Sequence, residues 1–160
     1  MLNLKKSLGQ NFLIDKNIIE KIASIQDLKS QFILEIGPGS GNLTKKLLEK
    51  KVKKIILIEK DLRFCELLKE KFSEQKNLKI ENKDILKYNL ENYNLNDTIV
   101  FGNLPYNIST QILVKFISVK KWPPFFNKII FMFQKEVADR ILAKTNTKEY
   151  GRISILTNFR

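Results

Sequence analysis

Histidine is missing from this chain of 160 residues, and cysteine occurs once, as Cys65. Without histidine there is no Ser-His-Asp triad, and the commonest metal ligand is gone. A lone cysteine closes no disulfide within the chain and builds no thiolate zinc cluster, so no metal site is expected. No apolar run approaches the roughly 18–20 residues of a membrane-spanning helix. The opening stretch, MLNLKKSLGQNFL, lacks the long apolar segment of a secretory signal. The expectation from these absences is a soluble chain of a reducing, cytoplasmic compartment, with no membrane partner.

What the chain has in quantity is positive charge. Twenty-nine Lys and Arg stand against 17 Asp and Glu, a net charge of +12. Such an excess favours a polyanionic partner, because each neutralised phosphate releases counterions. Heavy use of Lys, Asn and Ile throughout would produce the same excess, so charge by itself leaves both readings open. A hydrophobic content of 43% is enough for one domain with a real core.

Hydrophobic periodicity predicts strands alternating with helices. NIIEKIAS (17–24) reads as a helix with Asn17 as its N-cap and Glu20 three positions on. FILEIG (32–37), KIILIE (54–59), NLKIEN (77–82), TIVFGN (98–103) and KIIFMFQ (128–134) read as strands. Between and after them NLTKKLLEK, DLRFCELLKEKF, STQILVKFIS (opened by Ser109) and KEVADRILAK read as helices, Cys65 falling on an apolar stripe and so buried. Alternation of this kind predicts an α/β fold: a mostly parallel sheet, helices on both faces, ligands at the carboxyl ends of the strands.

The motifs fall at those ends. In LEIGPGSGNLT, Gly37, Gly39 and Gly41 stand between strand and helix, where the chain must turn tightly and let a ligand approach. Their spacing is G-x-G-x-G; the dinucleotide fingerprint G-x-G-x-x-G would need glycine where Asn42 stands. Glu59 closes the second strand, and a carboxylate there can accept from both hydroxyls of a ribose. Asp84 follows the third strand, placed to accept from an adenine amino group, or simply to cap a turn, with Ile85 to pack on the ring. An adenosine site without a phosphate-binding G-K-[ST] disfavours ATP and points to S-adenosylmethionine.

FGNLPYNIS (101–109) ends the fourth strand, which is expected beside the first. Methyl transfer needs a lone pair aimed at the methyl carbon, and the lone pair of adenine's exocyclic amine is delocalised into the ring. The side-chain carbonyl of Asn103 and the main-chain carbonyl of Leu104 can accept its two N–H groups and draw the nitrogen toward a nucleophilic shape. Pro105 fixes the bend and Tyr106 offers a face for stacking, worth on the order of 1–3 kcal/mol per base. The same loop would serve a planar amide nitrogen, and an asparagine-proline turn also closes strands with no catalytic purpose.

Taken together, SLGQNFL (7–13), LEIGPGSGNLT (34–44), IEKD (58–61), KDIL (83–86), FGNLPYNIST (101–110), FMFQKEVADRI (131–141) and YGRISIL (150–156) closely resemble the small-subunit ribosomal RNA adenine dimethyltransferases. The last two blocks resemble that group rather than the large-subunit enzymes of macrolide resistance. The resemblance implies a Rossmann-like class I S-adenosylmethionine-dependent methyltransferase fold and two methylations on each of two adjacent adenosines near the 3′ end of small-subunit rRNA. It also implies that Asn11 and Leu13 cover the methionine part of the cofactor, beside Gly37, Glu59, Asp84 and Asn103; a monomer is expected. Members of that family continue beyond YGRISIL with further strands and a small helical RNA-binding domain. Residues 1–160 are therefore expected to be an incomplete catalytic domain, with KIIFMF left as an apolar edge and weak or no activity alone. Methylation of DNA adenine or of a protein glutamine, or a non-catalytic role in ribosome assembly, are the alternatives. Lys5, Lys6, Arg140, Lys144 and Arg152 are candidates for RNA phosphates, and Trp122 is expected to cover the core.

Overall fold

Five apolar runs become five parallel strands: β1 (Phe32–Ile36), β2 (Lys54–Glu59), β3 (Leu78–Asn82), β4 (Thr98–Asn103) and β5 (Phe126–Met132). They lie in the order β3-β2-β1-β4-β5, so the chain builds outward from β1 to one side and then crosses to the other. The computed structural model describes residues 13–90, 93 and 95–159. Among these residues six helices accompany the strands: α1 (Lys16–Ala23), α2 (Asn42–Glu49), α3 (Leu62–Lys71), α4 (Ser109–Ile117), α5 (Lys135–Ile141) and α6 (Arg152–Phe159).

The central strands are buried on both faces, and period-2 alternation divides their side chains between two cores. Ile33, Ile55, Leu57, Ile99 and Phe101 join residues of α1, α2 and α3, including Ile22, Leu47 and Leu68, on one face. Leu34, Ile36, Ile56, Ile58 and Val100 meet Ile112 and Phe116 of α4 on the other. Each fully buried aliphatic side chain stabilises the fold by roughly 1.5–3 kcal/mol. Helices therefore cover both faces, as expected.

Local differences from the sequence reading have simple causes. Asp15, not Asn17, caps α1: its Oδ1 accepts from the backbone N–H groups of Asn17 and Ile18 at 2.8 and 3.1 Å. A carboxylate complements a helix N-terminus better than an amide does. Glu20, expected to close a capping box, instead reaches across to Lys46 and Lys50 of α2, and the two ammonium groups hold its carboxyl down at about 2. Ser109 opens α4 without capping it; its hydroxyl donates backward to the Tyr106 carbonyl at 3.2 Å. Strand β5 begins at Phe126, two residues earlier than read. It forms one margin of the sheet, and its side chains are half-buried or exposed, as expected of an edge. Trp122 does not cover the core. It is 54% exposed and lines a groove along β5 with Phe126 and Phe131. Cys65 is buried as expected, and burial pushes its thiol pKa up.

Candidate active site

Parallel register brings four strand ends into line. Ile36 stands beside Ile58 on β2 and Gly102 on β4, while Glu59 stands beside Asn82 on β3. The backbone continues this register into the loops: Gly37 donates to the Ile58 carbonyl at 2.9 Å, and Lys83 to the Glu59 carbonyl at 3.0 Å. A cleft of about 190 Å3 crosses these ends, lined by Gly37, Gly39, Glu59, Asp84, Ile85, Asn103 and Pro105 among others. A smaller hollow of about 30 Å3 adjoins it, lined by Leu13, Glu35, Asn42 and neighbours. Gly37, Gly39 and Asn103 belong to both, so the two meet there.

Gly37 has φ +65°, and a Cβ on it would find nothing nearer than the Asn103 carbonyl oxygen at 4.0 Å. The positive φ is what favours glycine here, and the space beside its Cα stays open where the two hollows meet. Gly41 serves differently from the sequence reading. It lines neither hollow, and a Cβ there would lie 2.7 Å from Leu68 Cδ2 and 2.8 Å from Phe72 Cε2. Its backbone, at φ +74°, lets α2 start tight against α3.

Glu59 is buried and stitches β2 to the glycine turn. Its Oε2 accepts from Gly39 N–H at 3.2 Å and its Oε1 from Asp61 N–H at 2.8 Å. Burial raises its pKa in spite of these donors. A carboxylate has about four acceptor positions, so about two remain, as many as the two ribose hydroxyls would ask for. Asp84 lies across the same end of the cleft. Its Oδ1 accepts from Leu86 N–H at 3.0 Å and its Oδ2 pairs with Lys60 Nζ at 2.9 Å, which draws its pKa down. Asp84 thus caps its turn and lines the cleft at once, and Ile85 beside it is buried.

Asn103 ends β4 at the junction of the two hollows. The loop after it is held from below and behind. The Leu104 side chain is 2% exposed, packed so closely that a Cβ on Gly102 would lie 2.7 Å from its Cδ2. The Pro105 carbonyl accepts from Ile108 N–H at 3.1 Å. Tyr106 does not line the cleft and is exposed. Asn11 lies outside the described residues; Leu13 is at the smaller hollow.

Four residues of the site escaped sequence reading. Glu35, within β1, is buried with its Oε2 accepting from Thr44 Oγ1 at 2.8 Å, and burial pushes its carboxyl up to about 8. A carboxylate inside the apolar run FILEI was the available signal. Asn42 donates from Nδ2 to the Leu13 carbonyl at 2.9 Å. Lys60 and Ser109 act through Asp84 and Tyr106 as described. Among the described residues no group of acidic or thiol side chains is arranged to hold a metal ion, and no helix is long and apolar enough to cross a membrane.

A parallel sheet in this order, with a glycine turn after its central strand and acidic residues at the next two strand ends, is the class I methyltransferase fold. Solved structures agree: a dimethyladenosine transferase from Plasmodium falciparum superposes with a TM-score of 0.80 and 34% identity over 92% of this chain and 52% of its own. The 23S rRNA methyltransferase ErmE follows at 0.73 and 30%, over 92% of this chain and 55% of its own. The family model described as ribosomal RNA adenine dimethylase matches residues 1–160, and the chain belongs to that family. A ribosomal RNA small subunit methyltransferase A from Pelagibacter ubique is 53% identical over 98% of this chain and 59% of its own length. One from Dinoroseobacter shibae is 41% identical over 99% and 58%. The chain thus spans about three-fifths of the relatives it matches.

Proposed function

We propose that this chain carries the catalytic domain of an S-adenosylmethionine-dependent adenine-N6 dimethyltransferase acting on small-subunit ribosomal RNA. The observation that carries the reading is the position of Asn103, which ends β4 where a glycine-lined cleft, lined also by Glu59 and Asp84, meets the smaller hollow. The cleft fits the cofactor, since a side chain at Gly37 would fill space that a ligand needs. Asp84 and Ile85 would hold the adenine, Glu59 the two ribose hydroxyls, and Gly37, Gly39, Leu13 and Asn11 the methionine end. S-adenosylmethionine, when bound, supplies an electrophilic methyl group on a sulfonium.

The chain's own residues handle the acceptor. The Asn103 side-chain carbonyl and the Leu104 main-chain carbonyl accept the two N–H groups of the target amine and localise its lone pair. Tyr106 stacks on the base from outside, and Ser109 keeps the Tyr106 carbonyl in place. A neutral asparagine suffices because the methylated nitrogen is acidic and sheds its proton to water. The net charge of +12 supports binding to RNA. A monomer in the cytoplasm is the state this reading expects.

Names of the similar proteins favour RNA adenine over DNA adenine or glutamine as acceptor. Deleting the gene from its own cell should abolish N6,N6-dimethyladenosine in nucleoside digests of small-subunit rRNA. Persistence of that nucleoside, with loss of methylglutamine or of methyladenine in DNA instead, would overturn the assignment.

A further inference from the structure

Residue 42 is where a dinucleotide-binding turn would place its third glycine, and here it carries an amide. Asn42 is the first residue of α2, and its Nδ2 donates at 2.9 Å to the carbonyl of Leu13, 29 positions earlier. Leu13 stands two residues before Asp15, the cap of α1, so this bond fixes the chain as it enters that helix. Its side chain packs against the core shared by α1, α2 and α3 and also lines the smaller hollow. Two distant segments, the start of α2 and the approach to α1, are thereby closed over one space.

Strand order says which part of a ligand would occupy that space. Asp84 follows β3, Glu59 ends β2, the glycine turn follows β1, and Asn103 ends β4. A ligand read as base at β3 and ribose at β2 must run its remaining atoms past β1 toward β4. The smaller hollow lies there, walled by Leu13, Glu35, Gly37, Asn42 and Asn103. Leu13 is the wall residue drawn from the approach to α1, and Asn42 fastens it.

We propose that Asn42 is a positioning residue: it holds the chain at Leu13 against the end of the cleft remote from Asp84, and so selects ligands that carry an amino-acid chain beyond the ribose. The inference rests on the adenosine reading of the cleft given above. Glycine at 42 would satisfy the turn but leave the Leu13 carbonyl without this donor, and aspartate, nearly the same shape, would set a carboxylate against it.

Calorimetry on the whole chain separates the possibilities with two ligands, S-adenosylhomocysteine and methylthioadenosine, which lacks the amino-acid chain. In Asn42→Asp and Asn42→Ala, Kd for S-adenosylhomocysteine should rise by about tenfold, the effect of one lost hydrogen bond and a loosened wall. Kd for methylthioadenosine should stay within about twofold, which also certifies that the variants are folded. Amide hydrogen exchange should quicken in the peptide containing Leu13. Equal weakening toward both ligands would reduce Asn42 to a structural residue and overturn the proposal, as would no weakening toward either. If the unmodified chain bound neither compound, the adenosine reading itself would fall, and this inference with it.

Discussion

Glu35 makes stability depend on pH in a direction opposite to that of most carboxylates. It is 2% exposed, its nearest polar partner is the Thr44 hydroxyl at 2.8 Å, and the Glu59 carboxylate adds repulsion. Burial first, and Glu59 to a lesser degree, raise its carboxyl from 4.5 to about 8, with the Thr44 bond opposing. Between those values the unfolded chain has released the proton while the folded chain retains it. The folded state therefore binds more protons, and stability falls as pH rises across that window. At about 1.4 kcal/mol per pH unit, the full displacement amounts to about 5 kcal/mol, as large as the whole stability of a marginal domain. Above about 8 both states are ionised and this group contributes no further slope. Glu35→Gln keeps the shape and an acceptor for Thr44 but has no proton to lose. Urea unfolding of both proteins at pH 5 and pH 9 isolates the effect, because every other titrating group is common to the pair. The variant should match or trail the parent at pH 5 and exceed it by several kcal/mol at pH 9. Parallel stability curves would show that Glu35 is not held neutral and would refute the reasoning.

Gly41→Ala should destabilise by about 2–4 kcal/mol, the sum of left-handed backbone strain and overpacking of the new Cβ against Leu68 and Phe72. Denaturant midpoints should fall at constant m-value; an unchanged midpoint would contradict the contact distances. Lys60→Met should raise the pKa of Asp84, since Lys60 is the chief cause of its depression, with Lys87 a smaller one. Cofactor affinity that needs an ionised Asp84 is lost as pH falls through that depressed pKa, and in the variant the loss should set in at higher pH. Binding isotherms carried from pH 6 to below the ordinary aspartate value of 3.8, with superimposable acid limbs, would argue that Asp84 does not read the ligand.

Strands β1, β2 and β4 were legible because each is a continuous apolar run with a clear stop, and their ends carry the residues that face the cleft. Glycine, glutamate and asparagine at successive strand ends name a site once the sheet is known to be parallel. Residues whose part depends on distant neighbours were not legible. Nothing local to Asn42 reveals a partner at Leu13, and the need for glycine at 102 comes from Leu104 folding back and Phe131 on the adjacent strand. Helix starts misread for a related reason: Asp15 and Asn17 are both good caps, and geometry chose the one whose carboxylate reaches two N–H groups. Glu59 ends β2 and lines the cleft, but two of its acceptor positions are taken by the backbone N–H groups of Gly39 and Asp61, which no pattern of residue types discloses.

The order β3-β2-β1-β4 turns the top of the sheet into a ruler. Neighbouring strands are spaced by about 4.8 Å, so three gaps separate Asp84's strand from Asn103's by roughly 14 Å. Molecular length is thereby graded against a rigid scale, one strand per increment. On the reading proposed above, a compound too short to cross all three gaps would leave the asparagine unreached, however well it satisfied the carboxylate at the far end.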